Sequence, residues 1–442
     1  MTLSQGRAPT TGETLTQIVT APDLRRRVLI TLGLLLLIRV GAYIWIPGLD
    51  VSQLQNQLSG GQLIGLLSIF TGGAPGGVFS LGILPFINAS IIMQLLTAAL
   101  PTLETLQKDE GEAGRRKLAQ ITRYVALGWG SLQAVIFSLY LRGFANGDLE
   151  GALFVVSTSL ALTTGAMVVM WISEIITEKG IGNGASLVIF INITASLPNT
   201  LQNIIREAQA GKIFPIVVTV AVALSMVVAI VAVQEGSRRI PIVSARRQIG
   251  FMAALPERQS YLPLKLISGG VMPIIFASAM LFLPATLANF TNNPALMSLA
   301  NWLSPTYTVP GPGLGWTTGW GYGLTYFFLI FGFSFFYASL VVNPTDMALN
   351  LKRQGVAIPG IRPGSATAEY LSGVINRLTL IGGSFLGLIA IIPNVVYSLT
   401  GTGVLQGLGA TSLLILVGVA IETAKQLQTN VISQRYEGMV RQ

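Results

Sequence analysis

The sequence predicts an all-α polytopic membrane protein, and three observations lead there. Of the 442 residues 51% are hydrophobic and only 10% are charged, with a mean hydropathy of +0.65. That is the profile of a chain whose length lies mostly in hydrocarbon. Ten apolar segments can be laid out at or near the length of about 20 residues that crosses a bilayer core. Finally, Lys and Arg gather in alternate connections between those segments, the pattern that orients multi-span proteins.

The N-terminal tail, residues 1–27, opens on MTLSQGRAPTTGETLTQ, which has no signal-peptide pattern and resembles a cytoplasmic tail. The first span, near 28–46, contains Arg39, which costs about 2.5–3.5 kcal/mol if it lies centrally in a span. It reads as a structural residue hydrogen-bonded to neighbouring backbone, in preference to a substrate contact. The next apolar stretch, residues 62–100, is broken. Leu63–Phe70 is too short to cross, a glycine-rich break follows at Gly72, Gly73, Pro75, Gly76 and Gly77, and a full span comes only at about 81–100. Broken backbone at membrane depth needs protein or water beside it, so this stretch predicts a cavity inside the membrane domain.

Further spans are expected near 121–141, 153–172, 185–200, 214–234, 269–289, 321–342, 374–396 and 403–423. GIGNGA, at 180–185, lacks the strand and downstream acid of a dinucleotide loop and reads as a tight turn between the fourth and fifth spans. Glu174, Glu178 and Lys179 read as a solvated helix end. Two long basic connections, about 235–268 and 343–373, have the length of functional loops. In the first, the alternation of RIPIVSA fits a short hairpin strand. The second carries turn signals at Asn343-Pro344 and in IPGIRPGS. Arg25–Arg27, the cluster from Lys108 to Arg123, both long loops, and the tail 424–442 share one side, against only Arg142, Arg206 and Lys212 on the other. Both termini are therefore expected in the cytoplasm. The basic connector also divides the chain into halves of five spans, 28–200 and 201–423, an arrangement that places a path between the halves.

Several chemistries are excluded. The chain contains no Cys and no His, which removes disulfides, histidine metal sites, Ser-His-Asp catalysis and histidine proton relays. No GxxxxGK[ST] occurs, so no P-loop hydrolyses ATP. The net charge of +9 is distributed between apolar segments, which favours membrane orientation over nucleic-acid binding. For the loop at 235–268, topology determination and macromolecular docking both remain open. Charge-poor spans argue against an ion-driven transporter, and the missing nucleophiles leave few options for a membrane enzyme. Ile83 and Ile87 share a helix face beside Asn88 and Gln94. Spacing alone allows either core packing or an apolar constriction that gates by excluding water.

Seven motifs, taken together, are specific: FTGG (70–73), LGILPFINASIIMQLLT (81–97), EGEAGRRKLAQITRY (110–124), ITEKGIGNGASLVIF (176–190), LPLKLISGGVMPIIFAS (262–278), VVNPTDMALNLKRQGVAIPGIRPGSAT (341–367) and GATSLLILVGVAIET (409–423). Through them the chain resembles, over essentially its whole length, the SecY family of protein-conducting channels of bacteria and plastids. The resemblance implies ten transmembrane helices in two pseudo-symmetric five-helix halves around an hourglass pore. It implies a plug at 63–72, with Leu66, Ile69, Phe70, Gly72 and Gly73. It implies a pore ring of Ile83, Ile87, Ile189, Ile275 and Ile415, with Ala185 at a sixth position that is commonly a bulky aliphatic in the family. The lateral gate would lie between the second and third spans and the seventh and eighth, lined by Asn88, Gln94 and Asn183. Arg362, with Lys352 and Arg353, would engage a SecA motor ATPase, and Arg246 and Arg247 would help dock a ribosome or that motor.

By the same resemblance the chain is a passive channel without cofactors, not an enzyme. It would pass unfolded secretory polypeptides across the membrane and release apolar segments sideways into lipid. Its implied partners are SecE-like and SecG-like small membrane subunits, SecA, the ribosome, secretory precursors with their signal sequences, and membrane lipids. The implied location is the bacterial plasma membrane, with the thylakoid membrane as the alternative.

Overall fold

The computed structural model describes residues 21–51, 53–54, 76–108, 111–145, 151–244, 260–267, 269–278, 280–281, 294–303, 320–400 and 410–440. These divide into two compact units, one within Met1–Asn203 and Ile415–Gln442, the other within Ile204–Leu414. The secondary structure is mostly helical. Among the described residues six helices are long and apolar enough to cross a membrane.

In the first unit α1 (Pro22–Gly41) begins with proline and Asp23 and ends with Arg39, so its ends match the helix dipole. Next, α2 (Leu84–Ala99) carries Pro85 in its first turn, and α3 (Pro101–Lys108) follows at once. The two long helices are α4 (Gly111–Leu141) and α5 (Ala152–Lys179). Next comes α6 (Gly184–Gln209), whose last turn passes into the second unit. The chain returns to the first unit in α12 (Ala410–Val440).

Small residues let these helices approach. A Cβ on Gly165 of α5 would lie 2.1 Å from the Val78 carbonyl oxygen, and one on Gly130 of α4 would lie 3.3 Å from Pro85. The interior gathers in patches, one of Ala89, Ala126 and Met170, another of Leu54, Leu81, Leu141, Phe154 and Leu162. The outward faces stay apolar too: Leu36 of α1 is 66% exposed, as expected for a surface that meets lipid.

In the second unit α7 (Ile213–Glu235) leads into β1 (Ser237–Ser244), which pairs antiparallel with β2 (Ser260–Lys265). The helices α8 (Pro294–Trp302), α9 (Trp320–Val341) and α10 (Pro344–Arg353) follow. Then β3 (Val356–Ala357) joins the other edge of β1, giving the sheet order β2-β1-β3. The 36-residue α11 (Ser365–Thr400) closes this unit. It packs on α9, where a Cβ on Gly387 would lie 2.5 Å from the Phe327 ring.

Helices run past the apolar segments that the sequence marks. α4 starts at 111 against an expected 121, α11 at 365 against 374, and α12 continues through 424–440 of the expected tail. Hydropathy registers only the apolar stretch. The backbone continues helical wherever polar residues of good helix propensity follow or precede it, as in GEAGRRKLAQ at the start of α4.

Candidate functional site

The turn before α2 is built around small residues. Gly82 adopts φ +52°, the left-handed region that suits glycine. Ser80 donates to the Gly77 carbonyl at 2.5 Å and accepts from the Gly76 N–H at 2.9 Å. The Val78 N–H reaches the Ile44 carbonyl at 2.8 Å and the Ile46 N–H reaches that of Gly76 at 3.0 Å, so this turn is tied to the chain leaving α1. From that anchored start α2 places Ile83 and Ile87 one turn apart, with the Ile87 N–H on the Ile83 carbonyl at 3.1 Å. Both side chains are buried, and Asn88 and Gln94 are half-buried on the same helix.

The GIGNGA segment forms the expected tight turn, and it joins more elements than the sequence suggested. The Ile181 N–H donates to Thr31 Oγ1 of α1 at 3.0 Å, and the Gly184 N–H donates to Thr177 Oγ1 of α5 at 2.8 Å. Asn183 Oδ1 accepts from the N–H groups of Ala185 (3.0 Å) and Ser186 (3.4 Å) and so caps α6. Ala185, half-buried, and Ile189, buried, follow on one face of α6. In α12 Ile415 is fully buried. In the second unit the short stretch 272–278 carries Ile275, buried beside Phe276, whose ring meets Phe333 and Tyr337 of α9 edge-on at 5.8 and 5.5 Å.

The five isoleucines are thus 1% (Ile83), 6% (Ile87), 2% (Ile189), 4% (Ile275) and 0% (Ile415) exposed, while Val228 of α7 is 68% exposed. They are interior aliphatics and not part of a lipid-facing surface. Leu66, Ile69, Phe70, Gly72 and Gly73 lie outside the described residues, as do Arg246 and Arg247.

Two charged residues have partners that the sequence did not reveal. Glu174 is not a solvated helix end: its Oε1 accepts from Arg123 Nε at 2.9 Å, an ion pair that joins α5 to α4. Arg123 is half-exposed and Glu174 more deeply set, so the pair sits at the rim of the helix contact. Arg39 donates to the Tyr43 hydroxyl at 3.0 Å and lies over that ring, 5.0 Å from its centroid.

The long loops of the second unit meet in one small α/β module. RIPIVS, the described part of RIPIVSA, is strand: β1 holds β2 in the register Arg239↔Pro263 and Pro241↔Tyr261, and holds β3 through Val243↔Ala357. Its core is Ile240, Leu264, Leu351, Ile358, Leu371, Val374 and Ile375. Asn343 caps α10 by accepting from the Thr345 N–H at 3.1 Å. Gly355, Gly360 and Gly364 take positive φ in the turns that return the chain to α11. Lys352, Arg353 and Arg362 are all exposed on this module, as are Arg238 and Arg239. Arg239 lies over the Tyr261 ring, 4.9 Å from its centroid, a cation–π contact on the exposed face of the sheet. The third strand was not legible: two residues, Val356 and Ala357, give no alternation to read.

Among the described residues no group of three carboxylate, imidazole or thiol side chains gathers where a metal ion could be held. In the first unit a polar cavity of about 480 Å³ opens between Asp23, Arg26 and Arg27 of α1, Glu178 and Lys179 of α5, and Asn430 of α12.

A family model described as SecY matches residues 77–424. The protein translocase subunit SecY of Synechococcus elongatus is 56% identical over 450 residues, spanning 100% of both chains. That of Synechocystis is 55% identical over 449 residues, also 100% of both, and that of Pyropia yezoensis is 48% identical over 423 residues, 95% of this chain and 99% of its own. Among solved structures, a protein conducting channel superposes with a TM-score of 0.65 at 20% identity, covering 92% of this chain and 93% of the other. Sec61 in a canine ribosome-channel complex superposes at 0.61 with 18% identity and the same coverage. At such identities the structural likeness bears on the fold.

Proposed function

The chain belongs to the SecY family, a multi-pass membrane subunit of the protein translocase, and on that premise we propose that it is the pore itself. In this reading ten spans in two halves surround an hourglass pore, and Ile83, Ile87, Ile189, Ile275 and Ile415 form its constriction. The observation that carries it is the burial of all five, against the exposed aliphatics of the lipid-facing helices. An apolar ring offers no hydrogen bond to a passing chain, so it yields to any unfolded side chain. Closed, it excludes ions by dewetting. The glycine-broken segment at 63–72 is the plug of this reading, and the gap that Ala185 leaves in the ring is filled by a neighbouring side chain or by the plug.

Lateral release follows from partition. A segment in the pore exchanges with lipid between the second and third spans and the seventh and eighth. Leu or Ile gains about 0.3–0.6 kcal/mol per residue at mid-span, while charged residues lose several times as much. Asn88, Gln94 and Asn183 supply polar contacts along that opening. The pore has no nucleotide motif, so the driving force comes from outside. The exposed module with Lys352, Arg353 and Arg362 is where a SecA motor or a ribosome seats, and by the family resemblance Arg246 and Arg247 help in that docking. Ribosome docking is supported by structural neighbours that are ribosome-bound channels. SecE-like and SecG-like subunits complete the complex, in the plasma or thylakoid membrane, with both termini in the cytoplasm.

The test is reconstitution. Vesicles holding the chain with its small subunits, the motor ATPase and a secretory precursor will protect the precursor from protease in an ATP-dependent manner. A precursor that stays protease-sensitive outside while ATP is consumed would overturn the reading. Deletion of 65–72 will raise ion leak and relax signal-sequence selectivity; an unchanged leak would make that segment a packed loop only.

A further inference from the structure

Among the described residues, the turn at 180–184 is hydrogen-bonded to α1 through the side chain of Thr31. Its hydroxyl hydrogen goes to the Arg27 carbonyl at 2.9 Å within α1, which turns the oxygen lone pairs outward to accept the Ile181 N–H at 3.0 Å. Thr31 is 8% exposed and Ile181 4%, so water does not substitute readily for either partner. The fit is close: a Cβ on Gly180 would lie 2.4 Å from Thr31 Oγ1 and 2.6 Å from the Ile176 carbonyl. The Ile181 side chain enters an apolar cluster with Leu24 of α1 and Val431 of α12. A Cβ on Gly182 would lie 3.5 Å from Thr423 Oγ1 of α12.

The same turn therefore references two helices that each carry a buried isoleucine assigned above to the constriction. Ile189 stands five residues beyond Gly184, about 7–8 Å along α6 at 1.5 Å per residue. Ile415 stands eight residues before Thr423, about 12 Å along α12. Over such distances a helix is stiff, and a displacement of the turn appears at the isoleucine.

We propose that Thr31 is a positioning residue for the constriction: by accepting the Ile181 N–H it latches the 180–184 turn to α1 and sets the height of Ile189 against Ile415. Without that acceptor the Ile181 N–H is left unpaired in a buried place, which favours arrangements in which the turn has moved. The inference rests on the ring reading given under the proposed function, and the experiment separates the two.

Vesicles reconstituted with the complex are assayed for ion leak in the closed channel and for export of a precursor with a defective signal sequence. Three chains are compared: wild type, Thr31→Val and Thr31→Ser, with Ile189→Ser as the control for the ring. Loss of one buried hydrogen bond shifts an open–closed population by about fivefold, so Thr31→Val should raise leak by about that factor and pass the defective precursor. Thr31→Ser keeps the acceptor and should restore wild-type leak. A merely structural threonine would lower thermal stability without moving leak or discrimination. Should the valine variant fail to assemble, Thr31→Ala removes the same acceptor without crowding and carries the test. If Ile189→Ser leaks and the Thr31 variants do not, the latch is wrong and the ring stands. If Ile189→Ser does not leak either, the ring reading fails and the latch falls with it.

Discussion

At position 184 a hydrogen atom stands where any other side chain would collide with α5. A Cβ there would lie 1.8 Å from the Ser173 carbonyl oxygen and 2.9 Å from Thr177 Oγ1, a contact with backbone that no rotamer relieves. Gly184→Ala is therefore expected to destabilise by at least the 1–3 kcal/mol typical of overpacking, read as a lower unfolding midpoint in detergent and a lower yield of membrane-inserted protein. The Arg123–Glu174 pair is a milder case. Arg123 is half-exposed and the two meet in a single hydrogen bond, so a double-mutant cycle with Arg123→Gln and Glu174→Gln should give a coupling of about 0.2–1 kcal/mol. Asn183 shows how much a residue's surroundings say in advance. An asparagine before Gly-Ala-Ser at a helix start is an N-cap pattern, and its oxygen is used as one. The partner of Glu174 had no comparable signal, because Arg123 lies on another helix and only packing brings it near.

Elements were legible where a period or an apolar run marked them. The apolar cores of α4, α5, α6, α7, α9 and α11 and the strand β1 all fall where hydropathy and alternation place them. Their ends do not, since a helix continues into water without changing its hydrogen bonds. The pairing of β1 with β3 was hidden because it joins the two loops across a long intervening sequence, from Ser244 to Val356, and a two-residue strand has no pattern. The plug stretch lies outside the described residues, so its reading still stands on the sequence. Arg362 belongs to this scale as well. It is exposed in the turn that enters α11, while its backbone carbonyl accepts from Thr367 Oγ1 at 2.9 Å. Arg362→Glu therefore changes the proposed docking surface without loosening that turn. Motor-driven export should fall at least tenfold, the loss expected when a charge-assisted contact becomes a repulsion, with membrane insertion of the chain intact. Normal export in vesicles would remove Arg362 from the docking surface.

For the whole molecule, the placement of Lys and Arg along the chain sets the expected orientation, since orientation depends on where they fall and on little else. A chain without cysteine makes the orientation directly testable. Arg353→Cys should react with a membrane-impermeant maleimide only after the cytoplasmic side is opened, and Lys212→Cys should react in intact cells. The reverse pattern would invert the topology. Family membership is secure from relatives matched end to end, whereas the proposed constriction rests on the burial of five isoleucines, each within its own unit. The module of the second unit has one more implication. Leu371, Val374 and Ile375 belong at once to its core and to α11, which runs unbroken to Thr400 and lies against α9 through Gly383 and Gly387. Its exposed arginines therefore sit at one end of a helix that runs about 42 Å, at 1.5 Å per residue, before it reaches Pro393. A partner that grips them holds a lever, and a tilt of the grip is carried along α11 as far as that proline.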